Sequence, residues 1–198
     1  MNDSKIVFDY IRRSSTIDSV ANEQNESVAA VTAGILRFLK SHPESSYYDK
    51  ISRKVKVELT KLFLSSKLPA KDFAEKYGLG ETRFISLVGE VIDNSQLVTS
   101  DALADKLYRK LLYNRTSLGA YTPKRNIQII AKVYVSSPYI TQLEIAYSYN
   151  ISRRSLASLL KRGIAEGILD HDLAEQVVFK SCYRRNRYMN SASSTNND

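Results

Sequence analysis

One cysteine, two histidines, four prolines, seven glycines and no tryptophan occur in 198 residues. Each shortage excludes something. A single cysteine, Cys182, cannot close an intrachain disulfide, which favours a reducing compartment. Cys182 itself reads as a buried or half-buried helix residue. His42 and His171 lie far apart, so with one cysteine there is no zinc or haem spacing, and no metal or cofactor is expected. His42, before Pro43, reads as a solvated helix-end residue. His171, between Asp170 and Asp172, reads as an exposed residue at a helix start. No run of about 18 apolar residues exists, so neither a transmembrane helix nor a membrane partner is expected. The stretch Met1-Asn-Asp-Ser-Lys-Ile-Val-Phe8 lacks the basic-then-apolar order of a signal peptide, and a cytoplasmic location is expected. Gly78-Leu79-Gly80 reads as a turn, and no phosphate-binding glycine loop is present. Acidic pairs such as Asp101 with Asp105 suit helix first turns better than acid/base chemistry. No nucleophile has an evident base, so catalysis is not expected.

What is present favours helices. Hydrophobic residues make up 43% of the chain, enough to form a core. Breakers are few, and runs rich in Leu, Ala, Lys, Glu and Arg point to an all-α fold. The net charge of +8 is unevenly placed: residues 1–105 hold 14 Lys+Arg and 15 Asp+Glu, and residues 106–190 hold 15 and 5. A basic half beside a near-neutral half is the electrostatic footprint of a nucleic-acid binder. A solubilising surface is the plainer alternative.

The chain also repeats itself, which sets the architecture before finer reading. Residues 61–110 and 132–180 align as two copies of one unit. Lys61-Leu-Phe-Leu-Ser-Ser66 matches Lys132-Val-Tyr-Val-Ser-Ser137. Phe73-Ala-Glu-Lys-Tyr-Gly-Leu-Gly80 matches Ile145-Ala-Tyr-Ser-Tyr-Asn-Ile-Ser152, and Leu103-Ala-Asp105 matches Leu173-Ala-Glu175. Apolar spacing predicts helices at about 51–64, 69–77, 81–93 and 100–113, then about 126–137, 141–149, 152–165 and 171–184. Residues 1–27 are polar and hard to read, although Ile6–Ile11 fits a short helix. Ser27 is a fitting N-cap for a helix from Val28 to about Lys40. Val20-Ala21 and Ser27 align with Phe73-Ala74 and Gly80, as a third, degenerate copy would. Gln24 and Glu26 then fall where the other copies are apolar, and a plain helical hairpin is the alternative.

Gln142 to Lys161 resembles the helix-turn-helix of bacterial repressors and activators. Two short helices crossing steeply need apolar inner faces, here Ile145, Tyr149, Ile151, Leu156 and Leu159. The closest approach needs a small residue, Ala146. The turn needs a residue that tolerates positive φ, Asn150, or Gly78 in the first copy. Ser152 caps the second helix. The first copy meets these demands with Phe73, Ala74, Tyr77, Gly78, Leu79, Phe84 and Leu87, but Gly80 offers no capping side chain.

The resemblance implies that the second helix enters the major groove with its N-terminal residues at the base edges. In the second copy the outward positions are Ser152, Arg153, Arg154, Ala157, Ser158 and Lys161, with Arg162 reaching toward the DNA backbone. In the first copy the same positions hold Gly80, Glu81, Thr82, Ile85, Ser86 and Gly89, followed by Glu90. Those carboxylates would be repelled by phosphate, and Ile85 on an outer face would suit a protein contact. Lys124 and Arg125, and Arg184, Arg185 and Arg187, are further phosphate-clamp candidates. Tyr134, Tyr147 and Tyr149 are expected to pack within helices.

The expected architecture is all-α: two tandem helix-turn-helix-containing units behind a helical N-terminal segment. The segments are 1–46, a first unit at 47–113, a linker at 114–125, a basic second unit at 126–188, and a disordered tail at 189–198. The expected function is sequence-specific double-stranded DNA binding, as a transcriptional regulator of a bacterium, phage or plasmid. The first unit is expected to contact DNA weakly, to bind another protein, or to pair with its equivalent in a dimer. An architectural, partition or replication-accessory role would use the same DNA contacts. A protein–protein adaptor would use the helix-turn-helix only as scaffold.

Overall fold

Few breakers and a helical apolar period leave the chain one kind of regular structure to form. The computed structural model, which describes residues 3–12, 15–94, 97–113 and 122–193, with side chains through Cys182, is all-α, with no strand among the described residues. The helices are α1 (Asp3–Arg12), α2 (Ile17–Gln24), α3 (Val28–Ser41), α4 (Tyr48–Ser65), α5 (Ala70–Lys76), α6 (Glu81–Asp93), α7 (Asp101–Leu112), α8 (Lys124–Val135), α9 (Gln142–Ser148), α10 (Arg153–Ala165) and α11 (His171–Ser193). They form two compact units, Met1–Thr99 and Ser100–Asp198. Residues 100–113, grouped by sequence with the first unit, form α7 of the second, where α7 packs on α8.

In the first unit, α1 buries Ile6, Val7 and Tyr10 against α2 and α3. The rings of Phe63, Phe73 and Phe84 join α4, α5 and α6, with centroids 5.1–5.3 Å apart. Each such buried aromatic or aliphatic side chain is worth about 1.5–3 kcal/mol of transfer free energy. Glu58 of α4 ties the earlier helices together. Its Oε2 accepts the Tyr10 hydroxyl at 2.7 Å, and its Oε1 accepts the Ile17 N–H at 2.6 Å, which caps α2.

In the second unit α8, which buries Ile127, Ile130 and Tyr134, packs on α10, whose buried stripe is Leu156, Leu159 and Leu160. Gly163 permits their close approach. A Cβ there would lie 2.7 Å from Ile127 Cγ2 and 3.2 Å from Leu169 Cγ.

The repeat is sharper in the backbone than in the sequence. The bounds of α5 and α6 recur in α9 and α10 at one constant offset, Ala70 to Gln142 and Asp93 to Ala165. The turns share their hydrogen bonds. Leu79 N donates to Ala74 O at 2.8 Å, and Ile151 N to Ala146 O at 2.9 Å. Gly78 and Asn150 hold the positive φ, +67° and +52°. The same turn occurs a third time between α2 and α3, where Asn25 has φ +52° and Glu26 N donates to Ala21 O at 2.9 Å. By sequence alone a third copy and a plain helical hairpin both fit here, because Gln24 and Glu26 break the apolar pattern. The cap supplies what the pattern lacks: Thr16 and Ser19 form a capping box that starts the helix.

Two boundaries differ from expectation. Lys124 and Arg125, read as the end of a linker, form the first turn of α8, where Pro123 opens the helix. Residues 114–121 of that linker lie outside the described residues. Helix α11 continues through Ser193, so residues 189–193, read as tail, are helical, and 194–198 lie outside the described residues. Among the described residues no helix is long and apolar enough to cross a membrane.

Candidate nucleic-acid interface

Helix α10 begins at a well-made cap. Ser152 sits in extended backbone, φ −71° and ψ 150°, and its Oγ accepts the Ser155 N–H at 3.0 Å. Such a cap is worth about 1 kcal/mol and fixes where the first helical turn begins. With Leu156, Leu159, Leu160 and Gly163 on the buried stripe, helical spacing turns Arg153, Arg154, Ser158 and Lys161 to solvent, and all four are exposed. Ala157, between them, is half-buried. Among the described residues, Arg153, Arg154 and Lys161 have no ion-pair partner. The structure therefore brings Ser152, Arg153, Arg154, Ala157, Ser158 and Lys161 together at the start and outer face of one helix, with Arg153, Arg154 and Lys161 uncompensated among the described residues.

The other candidates are placed differently. Arg162 is half-buried; its Nη2 donates to the Thr122 carbonyl at 3.0 Å, and its Nε lies 3.9 Å from Glu166. It is engaged with its own chain. Arg125 pairs with Asp101 at 2.8 Å, and its side chain is 16% exposed, so it does not stand free as a clamp. Lys124 is exposed in the first turn of α8. The side chains of Arg184, Arg185 and Arg187 lie outside the described residues.

The equivalent face of α6 is of another kind. Ile85, expected on the outer face, is 7% exposed, and Gly89 is buried too. Exposed Glu90 pairs with Lys56 of α4 at 2.6 Å. Gly80 opens α6 without a side-chain cap. The charge follows the same division: the first unit holds 14 Lys+Arg and 13 Asp+Glu, the second 15 and 8.

Tyr134 and Tyr149 are packed as expected, but Tyr147 is 87% exposed. On α9 the buried pair Ile145-Ala146 fixes the inner face, and Tyr147 falls one step beyond it. Cys182, read as buried or half-buried, is exposed.

Sequence missed a bracket from α7 onto the turn before α10. Arg109 Nη1 donates to the Ser148 carbonyl at 2.6 Å, and its guanidinium lies 4.0 Å from the Tyr149 ring centroid. Its Nε donates to Asp105 Oδ2 at 2.7 Å, while the Tyr149 hydroxyl donates to Asp105 Oδ1 at 2.5 Å. Burial, then the bond to Asp105, raises the Tyr149 phenol above its ordinary value and keeps it protonated as the donor. The spacing of Asp105 and Arg109 signals an intrahelical pair; nothing in it signals Tyr149, 44 residues after Asp105.

Among the described residues, no group of three or more His, Cys, Asp or Glu is placed to hold a metal. Compared with family models, curated proteins and solved structures, the chain matches none.

Proposed function

We propose that the chain is a sequence-specific double-stranded DNA-binding protein, a transcriptional regulator that reads the major groove with the N-terminal part of α10. The observation that carries this reading is the pair Arg153 and Arg154, exposed in the first turn of a capped helix with no ion-pair partner among the described residues. A short helix, a tight positive-φ turn and a second helix support it further. That arrangement puts the start of the second helix at base edges in helix-turn-helix proteins. Arginine can bond a guanine edge twice, and one good pair gives about 1–3 kcal/mol of discrimination. Ser152 and Ser158 add short hydrogen-bonding groups, and Ala157 allows close approach. Lys161 and Lys124 would bind phosphate.

Selection of bound sequences from a random duplex pool tests the reading, with an Arg153→Ala/Arg154→Ala variant in parallel. An enriched motif that the variant loses is the expected result. Salt-sensitive binding to any duplex without enrichment would mean an architectural role. Absence of duplex binding would leave a protein–protein adaptor.

A further inference from the structure

The turn that leads into α10 is held from another helix, α7. We infer that Arg109, oriented by Asp105, is a positioning residue that fixes the seating of α10 and thereby the specificity of duplex recognition, without itself touching DNA. The inference rests on the proposed DNA binding through α10.

Arg109 grips the chain where α9 ends. Its bond to the Ser148 carbonyl satisfies one of the acceptors that a helix C-terminus leaves open. Its guanidinium covers the ring of the next residue, Tyr149, whose hydroxyl returns to Asp105. Four groups from two segments close on one another. Asn150 with its positive φ, Ile151, the cap Ser152 and then Arg153 follow directly. A shift of the Ser148–Tyr149 peptide would pass through this short turn to the first turn of α10.

The first unit provides an internal control. At the spacing that relates α5 and α6 to α9 and α10, Arg37 stands where Arg109 does and Ala33 where Asp105 does. Arg37 turns to Asp3 of α1, with bonds of 2.8 and 3.0 Å. Tyr77, in the place of Tyr149, stacks on Phe73 at 4.6 Å. The same helix pair thus folds without the bracket, and there α6 has Glu81 and Thr82 where α10 has Arg153 and Arg154. The bracket accompanies the cationic face.

Stability alone accounts poorly for it. Arg109 and Asp105 are part-exposed, their side chains 41% and 23% accessible, and such ion pairs contribute little to folding. Orientation is different. Hydrogen bonds to base edges are directional, whereas attraction to phosphate survives a small rotation. Loss of the bracket should therefore cost specific binding and spare non-specific binding.

The test uses the full chain and two duplexes, one enriched by selection and one of unrelated sequence, with fluorescence anisotropy across a salt series. For Arg109→Ala the specific-to-non-specific affinity ratio should fall by about tenfold or more, the worth of misaligned base contacts. Non-specific affinity and its salt slope should stay as in wild type. Arg109→Lys keeps the charge but lacks the planar fork, and should behave like the alanine variant. An unchanged ratio overturns the inference. A salt slope lowered by about one unit overturns it too, since Arg109 would then bind phosphate. A merely structural role would lower both affinities together. If Arg109→Ala fails to melt cooperatively by circular dichroism, Asp105→Asn takes its place with the same two outcomes. A wild-type protein that does not distinguish the duplexes fails the DNA reading itself, and this inference falls with it.

Discussion

Lys54 closes the end of α1 by donating to the carbonyl of Tyr10 at 2.5 Å, and its ammonium lies 3.7 Å from the centroid of the same residue's ring. A further bond reaches the Ser15 carbonyl at 2.6 Å. Lys180 of α11 repeats the device on α8: it donates to the carbonyls of Tyr134 and Ser137 and stands 4.4 Å from the Tyr134 ring centroid. In each unit a lysine from the helix after the turn pair supplies several donors to a helix end that has spare acceptors. The partners are 39 to 46 residues apart in sequence, so no local pattern announces them.

Replacing Lys54 by methionine keeps the packing of its stem and removes every donor. The part-buried carbonyls of Tyr10 and Ser15 then lose their partner, at a cost of roughly 1–3 kcal/mol. Amide hydrogen exchange should show lost protection in α1 and unchanged protection in α8. Lys180→Met should show the reverse. Full protection of α1 and α8 in both variants would mean that water replaces the lysines without loss.

The two turns differ in what surrounds them, and an exchange of residues should show it. Gly78 has φ +67°, and a Cβ there would lie 3.1 Å from Ala29 Cβ and 3.2 Å from its carbonyl oxygen. Asparagine tolerates positive φ, so the obstacle to Gly78→Asn is the backbone of α3. That variant should lose about 1–3 kcal/mol, as overpacking does. The opposite exchange, Asn150→Gly, introduces no clash and should change stability by less than about 1 kcal/mol. Urea midpoints of the two variants measure the difference. Equal losses would place the cost in the turn conformation and not in Ala29.

These examples mark what sequence could carry. Apolar spacing located most of the helices, because burial of one stripe is a local property that recurs along the chain. It placed α6 at 81–93 and the inner face of α9 and α10 on Ile145, Tyr149, Ile151, Leu156 and Leu159, all buried. Expectation failed where burial depends on a distant neighbour. Ile85 sits at an outward position of α6 by spacing and is buried by tertiary packing, while Tyr147 is aromatic and yet exposed. Arg125 looked free until Asp101 paired with it across 24 residues. Arg153, Arg154 and Lys161 were legible because no acidic partner among the described residues claims them.

Three phenols make the fold sensitive to alkali. Burial raises Tyr10, Tyr77 and Tyr149 above the ordinary value near 10, and carboxylates at Glu58 and Asp105 add to the shift for Tyr10 and Tyr149. In the unfolded chain these groups lose their protons above about pH 10, while the native state holds them. The unfolded state then binds fewer protons, so stability falls as pH rises, by up to about 1.4 kcal/mol per pH unit for each phenol. Below that range the contribution is fully present. Tyr149→Phe removes one of the three, and its urea midpoints between about pH 9 and 11 should decline less steeply than those of the wild type. Parallel declines would show that the Tyr149 phenol ionises as readily in the folded chain as in the unfolded one.

Salt dependence separates the free cations from the engaged ones. Each phosphate neutralised on duplex DNA contributes a slope of about 0.9 in log affinity against log salt. Arg153 and Arg154, exposed and without an ion-pair partner among the described residues, are assigned to base edges, so their double replacement by alanine should abolish the preferred site. Lys124→Ala and Lys161→Ala, at phosphate, should instead each lower the slope by about one unit. Arg125 already holds Asp101, so Arg125→Ala should leave the slope unchanged and should instead loosen α8 against α7. Glu81 occupies on α6 the position that Arg153 has on α10, and Glu81→Ala should leave DNA affinity unchanged or raise it slightly. The combined pattern is demanding, because a general loss of positive charge would lower the slope for Arg125→Ala as well. If Glu81→Ala weakened binding while the arginine pair proved silent, α6 would be the helix on DNA and α10 would not.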